Sequence, residues 1–201
     1  NANGVMNLSL PEPYVTNDLR PYGQRIIVDK NSGCIAVARQ KSVAMGTIVA
    51  EIAHAYGALD LMDKMYETLE TDSAGAGWWD VLSWGATGWD GTGIPMGPCA
   101  YNRMLMNCIG VNNTNLVDLY GAREGIRIKP VGNPDGKVYR IGISSMEYFL
   151  IEHRSKESSY FYDMQIPKSG LLIWHVNENE SNSSEELKLC DLECPDGRFQ
   201  D

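Results

Sequence analysis

Residues 75–93 constrain the fold more tightly than any other stretch. They read Gly-Ala-Gly-Trp-Trp-Asp-Val-Leu-Ser-Trp-Gly-Ala-Thr-Gly-Trp-Asp-Gly-Thr-Gly and hold four of the five tryptophans. Glycine permits tight reversals, and tryptophan fixes them by burying a large apolar area. The segment therefore reads as a long shaped loop.

The flanks supply regular structure. Residues 25–28 and 34–38 are short apolar runs around Asn31-Ser32-Gly33, which predicts a hairpin. Over 43–56, Val43, Ile48, Val49, Ile52 and Tyr56 recur at spacings of three and four, an amphipathic helix with Ser42 to cap it and Gly57 to end it. A second helix is expected over 100–109 through Tyr101, Met104, Leu105 and Cys108. From 126 onward the period changes to two. Ile126, Ile128 and Val131, then the turn at 132–136, then Val138, Tyr139 and Ile141 predict another hairpin. Residues 146–151 and 171–176 read as strong strands.

Three regions follow. Residues 1–24, with Pro11, Pro13 and Pro21, form an irregular arm; 25–176 form the main domain; 177–201 form an acidic, cysteine-containing tail. The tail has eight acids against two bases, so most of the net charge of −9 lies there, and it reads as a solvated end. At 201 residues the chain suits one domain with an appendage. Its 43% apolar and 21% charged residues are near the globular average, which excludes disorder. Nucleic acid is a poor partner for a chain this acidic, because phosphate binding needs Lys and Arg. No apolar run approaches the ~18–20 residues of a membrane span.

The five cysteines Cys34, Cys99, Cys108, Cys190 and Cys194 are disulfide candidates. Their number is odd, so at least one is left free or joined to another chain, and the connectivity cannot be deduced from spacing. Sequons begin at Asn7, Asn112, Asn179 and Asn182, candidate glycosylation sites. Cysteines and sequons together point to a secreted or extracellular-surface glycoprotein. Residues 1–20 show no basic start followed by an apolar stretch, so no leader is expected within this sequence.

The chemistry-bearing pattern lies on the first helix. Glu51 and His54 are three apart, and Asp60 follows Gly57. Zincin peptidases carry His-Glu-x-x-His on a helix, two histidines on one face binding zinc while the glutamate polarises water. Alone, Glu51 and His54 are as readily an ordinary i,i+3 surface pair. Further blocks extend the match: Gly46-Thr47-Ile48 before the motif, Asp60-Leu61-Met62-Asp63 after it, Gly77-Trp78-Trp79-Asp80-Val81-Leu82-Ser83, Pro98 to Arg103 running on to Ile109-Gly110-Val111, Glu147-Tyr148-Phe149-Leu150-Ile151-Glu152-His153-Arg154, and Ser169-Gly170-Leu171-Leu172-Ile173-Trp174-His175-Val176. In this order, over roughly residues 25–176, the chain resembles the M6 family of metallopeptidases, the immune-inhibitor-A-like proteins.

That resemblance implies an α+β, zincin-like metallopeptidase domain with a β-rich C-terminal half. About 45 residues precede the helix, which implies a partial or shortened N-terminal half with open sheet edges suited to pairing. It also implies Glu51 as vestigial general base and His54 and Asp60 as vestigial zinc ligands. Three departures fall at the chemistry. Ala50 stands where the family has its first zinc-binding histidine, Leu82 where it has the methionine beneath the metal, and Leu59 where it has a proline. A methyl group cannot coordinate zinc, and catalytic sites keep three protein ligands plus water.

The expectation is a catalytically inactive homologue acting as a binding or structural module for a protein or peptide partner, with zinc expected only in an active form. Of the other residues, Glu152 can reach a cation. His175 lies where the family also has histidine, and His153 where it often has asparagine. An active endopeptidase with an atypical ligand set is one alternative. A self-assembling fibre or surface-layer subunit, associating through sheet edges or the odd cysteine, is the other. Calcium is a candidate at Asp63 and Asp80, with Asp60 and Asp90 nearby, because it takes clustered oxygen ligands; the same aspartates equally serve as turn caps. Trp78, Trp79, Trp84 and Trp89 suit an aromatic platform or core packing, and the resemblance implies that Trp78 or Trp79 forms part of an active-site wall.

Overall fold

The β-rich half folds as a five-stranded mixed sheet. In the computed structural model, β4 (Leu116–Asp118), β5 (Val138–Gly142), β6 (Glu147–Arg154), β7 (Gly170–Asn177) and β8 (Cys190–Leu192) lie side by side in chain order. β4 runs parallel to β5, and every other pairing is antiparallel. A separate antiparallel sheet joins β1 (Tyr14–Val15), β2 (Arg25–Asp29) and β3 (Cys34–Ala38). The structure describes residues 14–15, 25–29, 34–38, 45–62, 75–89, 93–158, 160–181 and 188–193, the first three stretches as backbone only. Two α-helices, α1 (Met45–Ala55) and α2 (Ala100–Leu105), complete the described regular structure apart from short 3-10 turns.

Alternation along β6 decides which face becomes core. Tyr148, Leu150, Glu152 and Arg154 are buried, while Glu147, Phe149, Ile151 and His153 are half-buried. The register extends the inner face: Leu150 faces Trp174, Tyr148 faces Val176, and Val176 faces Cys190. Onto this face pack Ala100 and Tyr101 of α2, with Leu61 and Ala76 from the segments around the Trp/Gly loop. Trp79 joins the edge of the same core, so part of the loop is wall rather than rim. The Trp78 ring meets Trp84 and Trp89 edge-on at 5.8 and 5.7 Å.

Two of the inward β6 residues are charged. Glu152 is fully buried. Its Oε1 accepts from Ala100 N at 3.2 Å and from Trp174 Nε1 at 2.9 Å, and its Oε2 accepts from Arg103 of α2. Beside it, Arg154 donates from Nε to Asp163 at 2.6 Å and from Nη1 to the Trp79 carbonyl at 3.3 Å. The cations that Glu152 reaches are thus arginines of the same chain, Arg103 directly and Arg154 at 3.9 Å. Burial, with Arg154 close by, pulls the Arg103 guanidinium down to about 10.

Several sequence expectations hold and several need correction. The helix over 43–56 appears as Met45–Ala55, and the two strong strands appear as β6 and β7; Ser42 lies outside the described residues. The second helix stops at Leu105 rather than 109. Asn107 adopts φ 57, Cys108 N bonds to Arg103 O and Asn107 N to Met104 O, a left-handed helix stop with asparagine in the usual glycine place. The hairpin over 126–141 does not form. Pro130 has no N–H to give a ladder, Val131 N makes a bond to His153 O, and β5 finds its partner in β4 instead. Nor are residues 188–193 a solvated end: β8 pairs with β7, and Leu189 and Leu192 pack on the core.

Glu152→Ala leaves Arg103 buried without its counter-charge and is expected to cost about 3–5 kcal/mol in denaturant unfolding. Glu147→Ala, on the half-exposed face, is expected to cost under about 1 kcal/mol.

Candidate functional site

The candidate site is made by the way α1 ends. Gly57 adopts φ 95, Gly57 N bonds to His54 O at 3.0 Å, and Ala58 N bonds to Ala53 O at 3.1 Å. These two bonds define a glycine-stopped helix end, which turns the chain back over the last helical turn. The reversal sets the Ala58 carbonyl against His54, whose Nδ1 lies 2.8 Å from it. Two residues on, Asp60 Oδ1 lies 3.0 Å from His54 Nε2. Glu51, one turn earlier on α1, is almost completely buried.

This geometry fixes the protonation of the ring. A carbonyl has no proton to give, so Nδ1 carries one. A second proton on Nε2 makes the imidazolium that the Asp60 carboxylate stabilises. Burial by itself lowers the His54 pKa. The Asp60 hydrogen bond and charge, the Ala58 carbonyl and the Glu51 charge outweigh it and hold the value above its usual one.

A second network holds the segment that carries Asp60. Asn102, fully buried in α2, accepts from Leu59 N at 2.8 Å and donates to Leu59 O at 3.0 Å. The same amide donates to Asp80 Oδ2 at 2.8 Å. Asp80 also accepts from Leu82 N at 2.7 Å and Cys99 N at 3.1 Å. Burial raises the Asp80 pKa, and these donors pull against it. Asp80 therefore ties the Trp/Gly loop to the start of α2, with both oxygens engaged by protein N–H groups. Asn102 is not among the candidate residues that the sequence offers. Its one signal is an amide inside a short helix, where asparagine is a poor former.

The three departures from the M6 pattern now have surroundings. Ala50 is half-buried and packs on an apolar cluster of Ala53, Ala58, Val81 and Leu82, with Val49 and Met106 beside it. Leu82 is buried in that cluster, and its carbonyl accepts from Leu61 N at 3.1 Å. Leu59 is exposed, its backbone held by Asn102. α1 approaches the 3-10 turn at Trp84–Thr87 so closely that a Cβ on Gly46 would lie 1.8 Å from Ala86 O, so glycine is required there.

His54 and Asp60 converge, with Glu51 on the same helix, but the remaining histidines are not with them. His153 Nδ1 lies 3.1 Å from Ile128 O. His175 Nε2 lies 2.9 Å from Glu147 Oε1, and its ring sits 4.9 Å from that of Phe149. Both are on the outer sheet face. Among the described residues no group of three or more His, Cys, Asp or Glu is placed to hold a metal ion. A catalytic zinc needs three protein ligands, and the residues around His54 do not fit it.

The other candidates fall as follows. Asp63 and Asp90 lie outside the described residues, as do Asn7, Asn182 and Cys194, and Cys34 is described only as backbone in β3. Asn112 and Asn179 are exposed. Cys99 and Cys190 are buried, while Cys108 is exposed with its thiol donating to Met106 O at 3.3 Å. No described helix is long and apolar enough to cross a membrane. Compared with protein-family models, curated proteins and solved structures, the chain matches none.

A histidine whose folded pKa is raised stabilises the fold fully below its unfolded value of about 6.5, and that contribution is lost as pH rises through the folded value. Stability is therefore expected to fall over this window, and His54→Gln to flatten the slope. The His54 ring, followed by NMR, is expected to titrate above about 6.5 in the native chain and lower in Asp60→Asn. Asn102→Ala strands Leu59 N and one Asp80 contact and is expected to cost about 2–4 kcal/mol in denaturant unfolding.

Proposed function

We propose that the chain is a secreted homologue of the M6 metallopeptidases, a zincin-like domain whose catalytic centre has decayed and which serves as a binding or structural module for protein or peptide partners. The observation that carries the reading is the surroundings of Ala50. Its methyl occupies the place of the first zinc-binding histidine in the resembled motif and belongs to an apolar cluster. Around it the rest of the motif keeps its order: Glu51 buried, His54 and Asp60 in contact, Asp80 anchoring the Trp/Gly loop. Hydrolysis through Glu51 as general base needs a metal-bound water, and among the described residues only His54 and Asp60 of the motif's ligands converge.

A binding role also has a surface. Ile141, Leu171 and Ile173 are exposed on the outer face of the five-stranded sheet, and clustered exposed apolar groups mark interaction sites. The same face supports the second reading, a self-assembling extracellular subunit. Size-exclusion chromatography separates the two: a monomer at all concentrations favours the partner-binding module, and concentration-dependent growth favours assembly.

Metal analysis of the purified chain is expected to find no stoichiometric zinc, and casein digestion to show no chelator-sensitive cleavage. Ala50→His is expected to bring measurable zinc binding. Stoichiometric zinc with chelator-sensitive cleavage in the unaltered chain would replace this reading with that of an active endopeptidase.

A further inference from the structure

Cys99 and Cys190 stand 91 positions apart in the chain and meet in the core. Cys99 is the residue from which α2 starts, its backbone N–H held by Asp80 at 3.1 Å. Cys190 opens β8 opposite Val176 of β7. Neither side chain has exposed surface, and both belong to the cluster that includes Trp174 and Val176. Both are thiols in this structure; the Cys99 thiol is in hydrogen-bonding contact with the Cys190 side chain and with the Asp80 carboxylate. Thiols are weak donors and weak acceptors, so a buried thiol–thiol contact stabilises little by itself.

We propose that Cys99 and Cys190 are joined by a disulfide bond that staples the start of α2 to the edge strand β8. The bond is made during folding by exchange with a small-molecule disulfide of the glutathione class. One cysteine thiolate attacks the donor disulfide, forming a mixed disulfide and expelling one donor thiolate. The second cysteine thiolate attacks the protein sulfur of that mixed disulfide, closing the Cys99–Cys190 bond and expelling the other donor thiolate. Two electrons pass from the cysteines to the donor, and the two cysteine protons end on the two released thiols. The exchange precedes burial, because the thiolate is the nucleophile. In the folded chain both residues are fully buried, so the bond, once made, is shielded from reductant. The bond's presence in the organism rests on the secreted setting proposed above; the pairing rests on the contact of the two thiols and their burial in one cluster.

The test refolds the full chain from reducing denaturant in mixed oxidised and reduced glutathione, blocks remaining thiols with an alkylating agent, and maps the peptides by mass spectrometry. Trypsin is combined with an acid-specific protease, which cuts between Cys190 and Cys194 at Asp191 and Glu193. The expected product is a peptide pair joined through Cys99 and Cys190, lighter by two hydrogens than its parts, with Cys108 alkylated in the native state. Dithiothreitol is expected to leave the link intact in the native chain and to open it in denaturant. Cys108→Ser is expected to keep the link; Cys99→Ser and Cys190→Ser are expected to lose it and to lower Tm by about 5–15 °C. Alkylation of both Cys99 and Cys190 after refolding, or recovery of either one joined to another cysteine, would overturn the proposal. The peptide map needs only the unaltered chain, so it decides the matter even if a serine variant fails to fold, and it is independent of zinc content and peptidase activity.

Discussion

Glu152 is an acid with no exposed surface, set on the inner face of a sheet beside Leu150 and Trp174. Taking a carboxylate out of water is tolerable only when donors replace the water. Ala100 N, Arg103 and Trp174 Nε1 supply them, from α2 and β7. Because those donors lie on different elements, the charge is satisfied only when both elements are docked. Arg154, next in the same inward row, repeats the device with Asp163 and the Trp79 carbonyl. An apolar contact could slide by an ångström at small cost. These directional bonds cannot, and so the helix, the loop and the sheet share one register.

Asp80 does for the loop what Glu152 does for the sheet. It gathers the N–H of Leu82, the N–H of Cys99 and the amide of Asn102, and through Asn102 it reaches the backbone of Leu59. The candidate site therefore stands at the end of a chain of fixed bonds that begins in α2. His54 is positioned from one side by the helix stop at Gly57 and from the other by the segment Asn102 clamps. The arrangement gives a fixed imidazole–carboxylate pair beside a buried glutamate.

Much of this was legible in the residues. The apolar runs at 146–151 and 171–176 located β6 and β7, and the stripe ending at Gly57 located α1. The glycine and tryptophan content of 75–93 foretold a shaped loop, and the turns at Gly77–Trp79 and Trp84–Thr87 form it. What stayed hidden depended on partners far along the chain. β4 is three residues long and carries no period; it exists because β5 has an open edge. β8 sits in a stretch whose net charge masks the apolar character of Leu189, Cys190 and Leu192. Of the site, Glu51, His54 and Asp60 were visible as a spacing on one helix and its exit. Asn102 is marked only as an amide in a helix, and local sequence does not name Leu59 and Asp80 as its partners. Glu152 is legible as an acid able to reach a cation, and Arg154 two places on is one such cation, but nothing in the strand names Arg103 of α2 as the closer partner.

The His54–Asp60 pair has a consequence for ionic surroundings. A ring held between the Ala58 carbonyl and the Asp60 carboxylate gains positive charge on protonation, beside the acids on and after α1. The charge balance of this corner therefore follows acidity, and it turns more negative as the surrounding medium becomes more basic.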